Sequence, residues 1–228
     1  LAPRVGADVA ALVGAMLTAQ RRDAAALIVQ ARAPGLFVTA SSDLVPKWGE
    51  YERTTASVLN AYIGPLTSAY LANIDQSLTG MGYAHPLQIT SCAGGAVSVA
   101  TGIEAPLLTL DSGPVAGVTG SAFLGGLMGH RNIITTDMGG TSFDVGIIHD
   151  GEAATSHIST VNQYQYFLPK VDIQTVGAGG GSLAVHDPVT GTLRVGPESA
   201  GAKPGPVCYG RGGTQPTAYC YNLLISAY

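Results

Sequence analysis

The sequence predicts a mixed α/β domain. Apolar residues recur at helical spacing in several segments, and short β-branched runs bounded by Gly and Pro alternate with those segments. At 228 residues the chain suits one large domain or two small ones, enough to bury a core.

Val9, Leu12, Val13, Met16 and Leu17 fall on one stripe of a helix near residues 7–20, and "RRDAAALIVQAR" continues at helical spacing until Pro34 and Gly35 stop it. "LFVTAS" reads as a short buried strand. From Glu50 to Leu78 the pattern is helical, and Gly64-Pro65 predicts a break into two consecutive helices, since proline begins a helix better than it continues one. "PLQITSC" reads as a strand, "AGGAVSVATG" as a turn with a short helix, and "PLLTLD" as another strand. In "SGPVAGVTGSAFLGGLMG" Pro114 stands at a helix start, and the small residues that follow permit close packing. "TTDMGGTSFDVGIIHDG" reads as a strand, a glycine turn and a second strand. "AATSHISTVNQYQYF" continues strand-like, "VDIQTVGAGGGSLAVHD" is a strand leading into glycines, and "PVTGTLRVGP" is a turn and strand. Residues 196–216, rich in Gly and Pro, predict an ordered irregular loop.

Charged residues make up 11% of the chain, against about 25% in an average domain, which predicts a large buried fraction or surfaces meant for a partner. A net charge of -4 without Lys/Arg clusters argues against a nucleic-acid partner, which needs concentrated positive charge. No stretch approaches the roughly 18–20 apolar residues of a membrane span, and Asp8 with helical spacing around it is unlike a signal peptide. Cys92, Cys208 and Cys220 form no CxxC, so the expectation is a reducing cytoplasmic setting without disulfide framework or zinc knuckle. The chain begins at Leu1, as a processed product or a piece of a longer chain would.

Two glycine turns carry the candidate chemistry. In "DMGGTSFD", residues 137–144, successive backbone N–H groups at Gly139 and Gly140 would approach an anion closely, and Thr141 and Ser142 add hydroxyls. Asp137, at the strand end beside such an anion, has the chemistry to hold Mg2+ through water or to orient an attacking water. An ordinary Asp/Gly hairpin turn is the alternative reading. The second turn, "GAGGGS" at 177–182, fits neither GxGxxG nor a P-loop, and a structural turn is its alternative. His85, His130, His149, His157 and His186 show no HExxH pattern, and nothing near Cys92 supplies a base for a thiol nucleophile.

Taken together, "SGPVAGVTGSA", "NIITTD" and "DMGGTSFDVGII" resemble a phosphate-binding segment of the actin, sugar-kinase and seventy-kilodalton heat-shock chaperone superfamily of ATPases. More closely, the chain resembles the hydantoinase A and 5-oxoprolinase family. The blocks in order are "SSDLVPKWGEYERTTASVLNAYIGP", "SGPVAGV", "DMGGTSFDV", "VDIQTVGAGGGSLA" and "VGPESAGAKPGPVCYGRGGTQPT".

That resemblance implies an incomplete actin-like, ribonuclease-H-like fold, a mixed sheet with flanking helices. The expected parts are a helical and α/β segment over 1–90, a nucleotide-binding segment over 91–217, and an atypical tail over 218–228. It implies ATP and Mg2+ as cofactors, with Asp137 catalytic and toward the metal. Gly139, Gly140, Thr141 and Ser142 would face the phosphates, and Gly177, Gly179, Gly180, Gly181 and Ser182 would form a second nucleotide loop. The implied activity is ATP-dependent opening of cyclic amides by phosphoryl activation of the amide oxygen, with a hydantoinase B-type second subunit. Alternatives are ATP-dependent carboxylation of a ketone, or a non-catalytic scaffold of ATPase fold.

Two departures stand out. The family's earlier glycine-rich hairpin does not occur before residue 90, and Cys220 stands where the family continues with aspartate. Both lead to the expectation that the chain is an internal piece of a much longer subunit, or is read imperfectly near its end.

Overall fold

The computed structural model describes residues 28–29 and 31–221. The helix expected near 7–20 lies outside them, and so does most of the next. Along the chain run helices α1 (Ser41–Leu44) and α2 (Glu50–Gly80), strands β1 (Gln88–Thr90) and β2 (Ala96–Ser98), and helix α3 (Val99–Glu104). A 3-10 turn (Pro106–Thr109) and helix α4 (Ser112–Leu127) follow. Then come β3 (Ile133–Met138), β4 (Phe143–His149), β5 (Glu152–Ala153), β6 (Thr155–Val161), β7 (Tyr164–Val171), β8 (Ile173–Val176), β9 (Ser182–His186) and β10 (Leu193–Ser199). The mixed α/β class is as the sequence predicts. Among the described residues no helix is long and apolar enough to cross a membrane.

The chain divides into two compact units. One holds the described residues through Thr119 together with Thr155–Val171, and the other holds Gly120–Ala154 with the described residues from Asp172 onward.

In the first unit, Val45, Ala56, Cys92, Leu107, Tyr166 and Leu168 form the buried core. Asn60, fully buried on α2, ties three segments together. Its Nδ2 donates to Thr39 Oγ1 at 3.0 Å and to the Glu104 carbonyl at 3.4 Å, and its Oδ1 accepts from the Leu107 N–H at 2.9 Å. Four expectations are corrected here. Glu50–Gly80 is one 31-residue helix with Pro65 inside it. The residue before a proline is normally pushed out of the helical region by a clash with its own Cβ; that residue is Gly64, which has none. The missing Cβ also leaves room for the Phe37 ring. "LFVTAS" forms no strand: Thr39 bonds to Asn60 instead of to a neighbouring strand, and Ser41–Leu44 turns into α1. "PLLT" is a 3-10 turn with Pro106 at its start and Thr109 Oγ1 donating back to the Pro106 carbonyl at 2.8 Å. "AATSHISTVNQYQYF" is not one strand but the hairpin β6–β7, folded at Asn162, whose positive φ of 55° suits asparagine.

In the second unit β4 is central, paired antiparallel to β3 on one side and to β8 and β5 on the other. Asp137 stands opposite Asp144 and Met138 opposite Phe143, so the strands close on Gly139–Ser142. A strand alternates its faces with period two, so Asp137, Asp144, Gly146 and Ile148 share one face. That is the covered face, with Asp144, Gly146 and Ile148 all buried. Strands β9 and β10 form a separate antiparallel pair.

Candidate functional site

The hairpin tip and the second glycine turn form one structure. The Gly139 N–H donates to the Ser142 carbonyl at 3.1 Å and closes the tip. The next three carbonyls are taken by the other turn: Gly139 O accepts from Gly180 N–H at 2.8 Å, Gly140 O from Gly181 N–H at 2.7 Å and Thr141 O from Gly179 N–H at 3.2 Å. Cis peptides occur only before Pro197 and Pro204 among the described residues, so these peptides are trans. In a trans peptide the N–H points opposite to the preceding carbonyl. With the carbonyls of Gly139, Gly140 and Thr141 turned toward the glycine loop, the N–H groups of Gly140, Thr141 and Ser142 are turned away from it. None of the three donates to a described acceptor. Gly139, Gly140 and Thr141 are exposed and Ser142 is half-buried.

The second turn is buried where the first is open. Gly179, Gly180, Gly181 and Ser182 are buried, while Gly177 is exposed. Gly179, Gly180 and Gly181 spend their N–H groups on the hairpin, and Ser182 N–H returns to the Gly179 carbonyl at 2.9 Å. Glycine is required by proximity here. A Cβ on Gly179 would strike the backbone of Thr141 and Ser142, one on Gly180 would enter the Tyr219 ring, and one on Gly181 would stand 2.7 Å from the Gly140 carbonyl. Ser182 Oγ is enclosed without a hydrogen-bond partner among the described residues.

Of the two carboxylates at the tip, Asp144 is buried and engaged. It accepts from Thr175 Oγ1 at 2.6 Å and from Ser142 Oγ at 3.0 Å. Asp137 is exposed and makes no side-chain hydrogen bond to a described residue. Three adjacent N–H groups without acceptors fit the oxygens of a phosphate, and the free carboxylate at the strand end fits a hydrated divalent cation.

Two residues of this arrangement are missed by sequence reasoning. Thr175 lies on β8, 31 positions from Asp144, and only the register Asp144↔Thr175 brings them together. Tyr219, within the stretch expected to form an atypical tail, donates its N–H to the Gly180 carbonyl at 2.9 Å and lays its ring on that glycine. Beside it the buried Cys220 thiol lies 3.7 Å from Thr217 Oγ1. Burial pushes that thiol up, but the hydrogen bonds from Cys208 and Thr217 together outweigh it and draw the value down to about 7.

An α/β fold carrying a glycine hairpin backed by a second glycine loop is a portion of an actin-like ATPase fold; every strand pair among the described residues is antiparallel, where the resemblance implies a mixed sheet. Residues 53–226 match the model of the hydantoinase/oxoprolinase family, and the chain belongs to that family. It is 37% identical over 198 residues to caprolactamase subunit alpha of Pseudomonas jessenii, covering 87% of this chain and 28% of that one. It is 36% identical over 190 residues to the acetophenone carboxylase gamma subunit of Aromatoleum aromaticum, covering 82% of this chain and 26% of that one. The crystal structure of the ATP-dependent caprolactamase from Pseudomonas jessenii superposes with a TM-score of 0.71 at 35% identity, over 91% of this chain and 30% of that one. The chain thus spans less than a third of the length of these relatives.

Proposed function

We propose that this chain is the nucleotide-binding part of an ATP-dependent enzyme that opens cyclic amides of the hydantoin, 5-oxoproline or lactam type. It would act in the cytoplasm, within a longer protein and beside a second, hydantoinase B-type subunit. The single observation that carries the reading is the hairpin tip, where three successive N–H groups are held outward by carbonyls bonded to the glycine loop behind them. Family membership and the ATP-dependent caprolactamase relative support it.

Phosphoryl transfer from ATP supplies what the amide lacks, turning a carbonyl oxygen that leaves poorly into one that leaves well. The residues of this chain do the positioning. Gly140, Thr141 and Ser142 would offer their N–H groups to phosphate oxygens, already oriented before the nucleotide arrives. Asp137 would hold Mg2+ through water, offsetting repulsion between carboxylate and phosphate. Gly179, Gly180 and Gly181 would act through the hairpin by fixing its carbonyls, with Ser182 closing their loop through its N–H to the Gly179 carbonyl, while Gly177, at the exposed end of the same loop, would be free to approach the nucleotide.

Asp137→Ala in the full-length complex should abolish phosphate release and leave the fold nearly intact; turnover that survives removes Asp137 from this role. The acetophenone carboxylase relative favours a second reading, carboxylation of a ketone by the same activation. Offering the complex ATP with hydantoin-type rings, or with a ketone and bicarbonate, separates the two by which acceptor drives phosphate release. Failure to bind Mg-ATP at millimolar concentration would leave a scaffold role instead.

A further inference from the structure

The side chains behind the hairpin fix which way one hydroxyl faces. Asp144, 9% exposed, stands between Thr175 and Ser142, and both hydroxyls donate to it, Thr175 Oγ1 at 2.6 Å to one carboxylate oxygen and Ser142 Oγ at 3.0 Å to the other. A serine hydroxyl carries one proton and two acceptor lone pairs. With its proton given to Asp144, Ser142 Oγ can offer only lone pairs to anything docking on the tip. The neighbouring donors are of the opposite kind, since Gly140, Thr141 and Ser142 present N–H groups on the same turn.

We propose that Asp144 is a positioning residue that makes Ser142 an oxygen ligand for the divalent cation accompanying the nucleotide, and not a donor to its phosphate. The inference rests on the nucleotide reading of the hairpin. It divides the tip by charge: backbone N–H groups take the anion, while Ser142 Oγ joins Asp137 in supplying oxygen to a hard cation, as Mg2+ prefers. Thr175 completes the device. By donating to the other carboxylate oxygen it holds Asp144 in the rotamer that receives the Ser142 proton.

Calorimetry on the full-length protein tests this with a non-hydrolysable ATP analogue, titrated with Mg2+, with Cd2+ and with excess chelator. Ser142→Ala should remove most of the affinity gained from Mg2+ and leave metal-free binding nearly unchanged. Ser142→Cys should lose the Mg2+ gain but recover it with Cd2+, because a thiolate selects the softer ion. Asp144→Asn, nearly isosteric, should weaken the Mg2+ gain by about tenfold, the usual effect of removing a partner that orients a metal ligand. Circular dichroism on each variant checks that the fold is kept. If Ser142→Ala weakens metal-free and Mg2+ binding by the same factor, or Cd2+ fails to restore Ser142→Cys, Ser142 is a phosphate donor and the inference is wrong. If the unaltered protein binds the analogue under none of these conditions, the nucleotide reading itself falls.

Discussion

Gly179 is seated on Thr141: its N–H donates to the Thr141 carbonyl at 3.2 Å, and a Cβ built on it would come within 2.7 Å of the Thr141 nitrogen. The two glycine turns therefore meet backbone to backbone. Gly140, on the outer side of the same assembly, has nothing within 4 Å of where its Cβ would stand. Gly179→Ala should force the turns apart and destabilise the protein by about 1–3 kcal/mol, the usual cost of overpacking. Gly140→Ala should cost far less. Paired denaturant melts of the two variants test the difference, and equal midpoints would show that the turns do not depend on this contact.

Asn60 makes a similar argument in the other unit. It satisfies the Leu107 N–H at 2.9 Å and bonds to Thr39 and the Glu104 carbonyl, while its side chain is wholly buried. Asn60→Leu would fill much the same volume but strand that N–H, at a cost of about 1–3 kcal/mol. Thr39→Val removes only one of the bonds and should cost less. Urea unfolding ranks the two, and a neutral Asn60→Leu would mean that the N–H finds another acceptor.

Periodicity and turn chemistry locate most elements of this fold. Helix α4, the hairpin at Asp137–Asp144 and the strand on each side of "GAGGGS" all stand where the sequence predicts them. What escapes is whatever depends on a distant partner. Pro65 reads as a break because proline usually is one, and only the glycine before it and the Phe37 ring beside it explain the unbroken helix. "LFVTAS" has the composition of a strand but finds Asn60 instead of a ladder. At the tip, Asp137, Gly139 and Gly140 are visible from composition alone. The division of labour is not: "DMGGTS" and "GAGGGS" look alike as strings, yet one faces outward and the other is spent holding it. No pattern in the sequence announces Tyr219, because its contact with Gly180 joins residues far apart in the chain.

Ser182 tests that division directly. Its Oγ is enclosed without a partner among the described residues, with the Gly196 backbone beside it. A buried hydroxyl without a partner gives up its hydration for nothing, so replacing it with a smaller apolar group is nearly neutral or stabilising. Ser182→Ala should unfold at the same denaturant concentration as the unaltered chain or higher, and bind nucleotide equally well. A loss of nucleotide affinity without loss of stability would instead make Ser182 a direct ligand.

Alkaline pH should loosen the first unit through one cluster. Cys92, fully buried, has its thiol pushed up by burial from 9.0 to about 11, against the pull of Lys170 toward the thiolate. Tyr166 is also raised by burial. For Lys170, burial lowers the ammonium's value, but the Asp111 carboxylate at 3.0 Å, joined by Tyr166 and Cys92, more than offsets this and the net shift is upward. All three groups hold their protons more tightly folded than unfolded. Between about pH 9 and 11 the unfolded chain releases the Cys92 proton while the folded one keeps it, so stability present below pH 9 is lost as the pH rises, on the order of 2 kcal/mol from this thiol. The raised Tyr166 and Lys170 act with the same sign. Denaturant melts at steps across this range should show midpoints falling with pH, and Cys92→Ala, less stable at neutral pH, should show a shallower fall. In the native protein Cys92 should resist iodoacetamide at pH 8 while the exposed Cys208 reacts. A midpoint that stays level up to pH 11 would mean that Cys92 is not held as the buried neutral thiol.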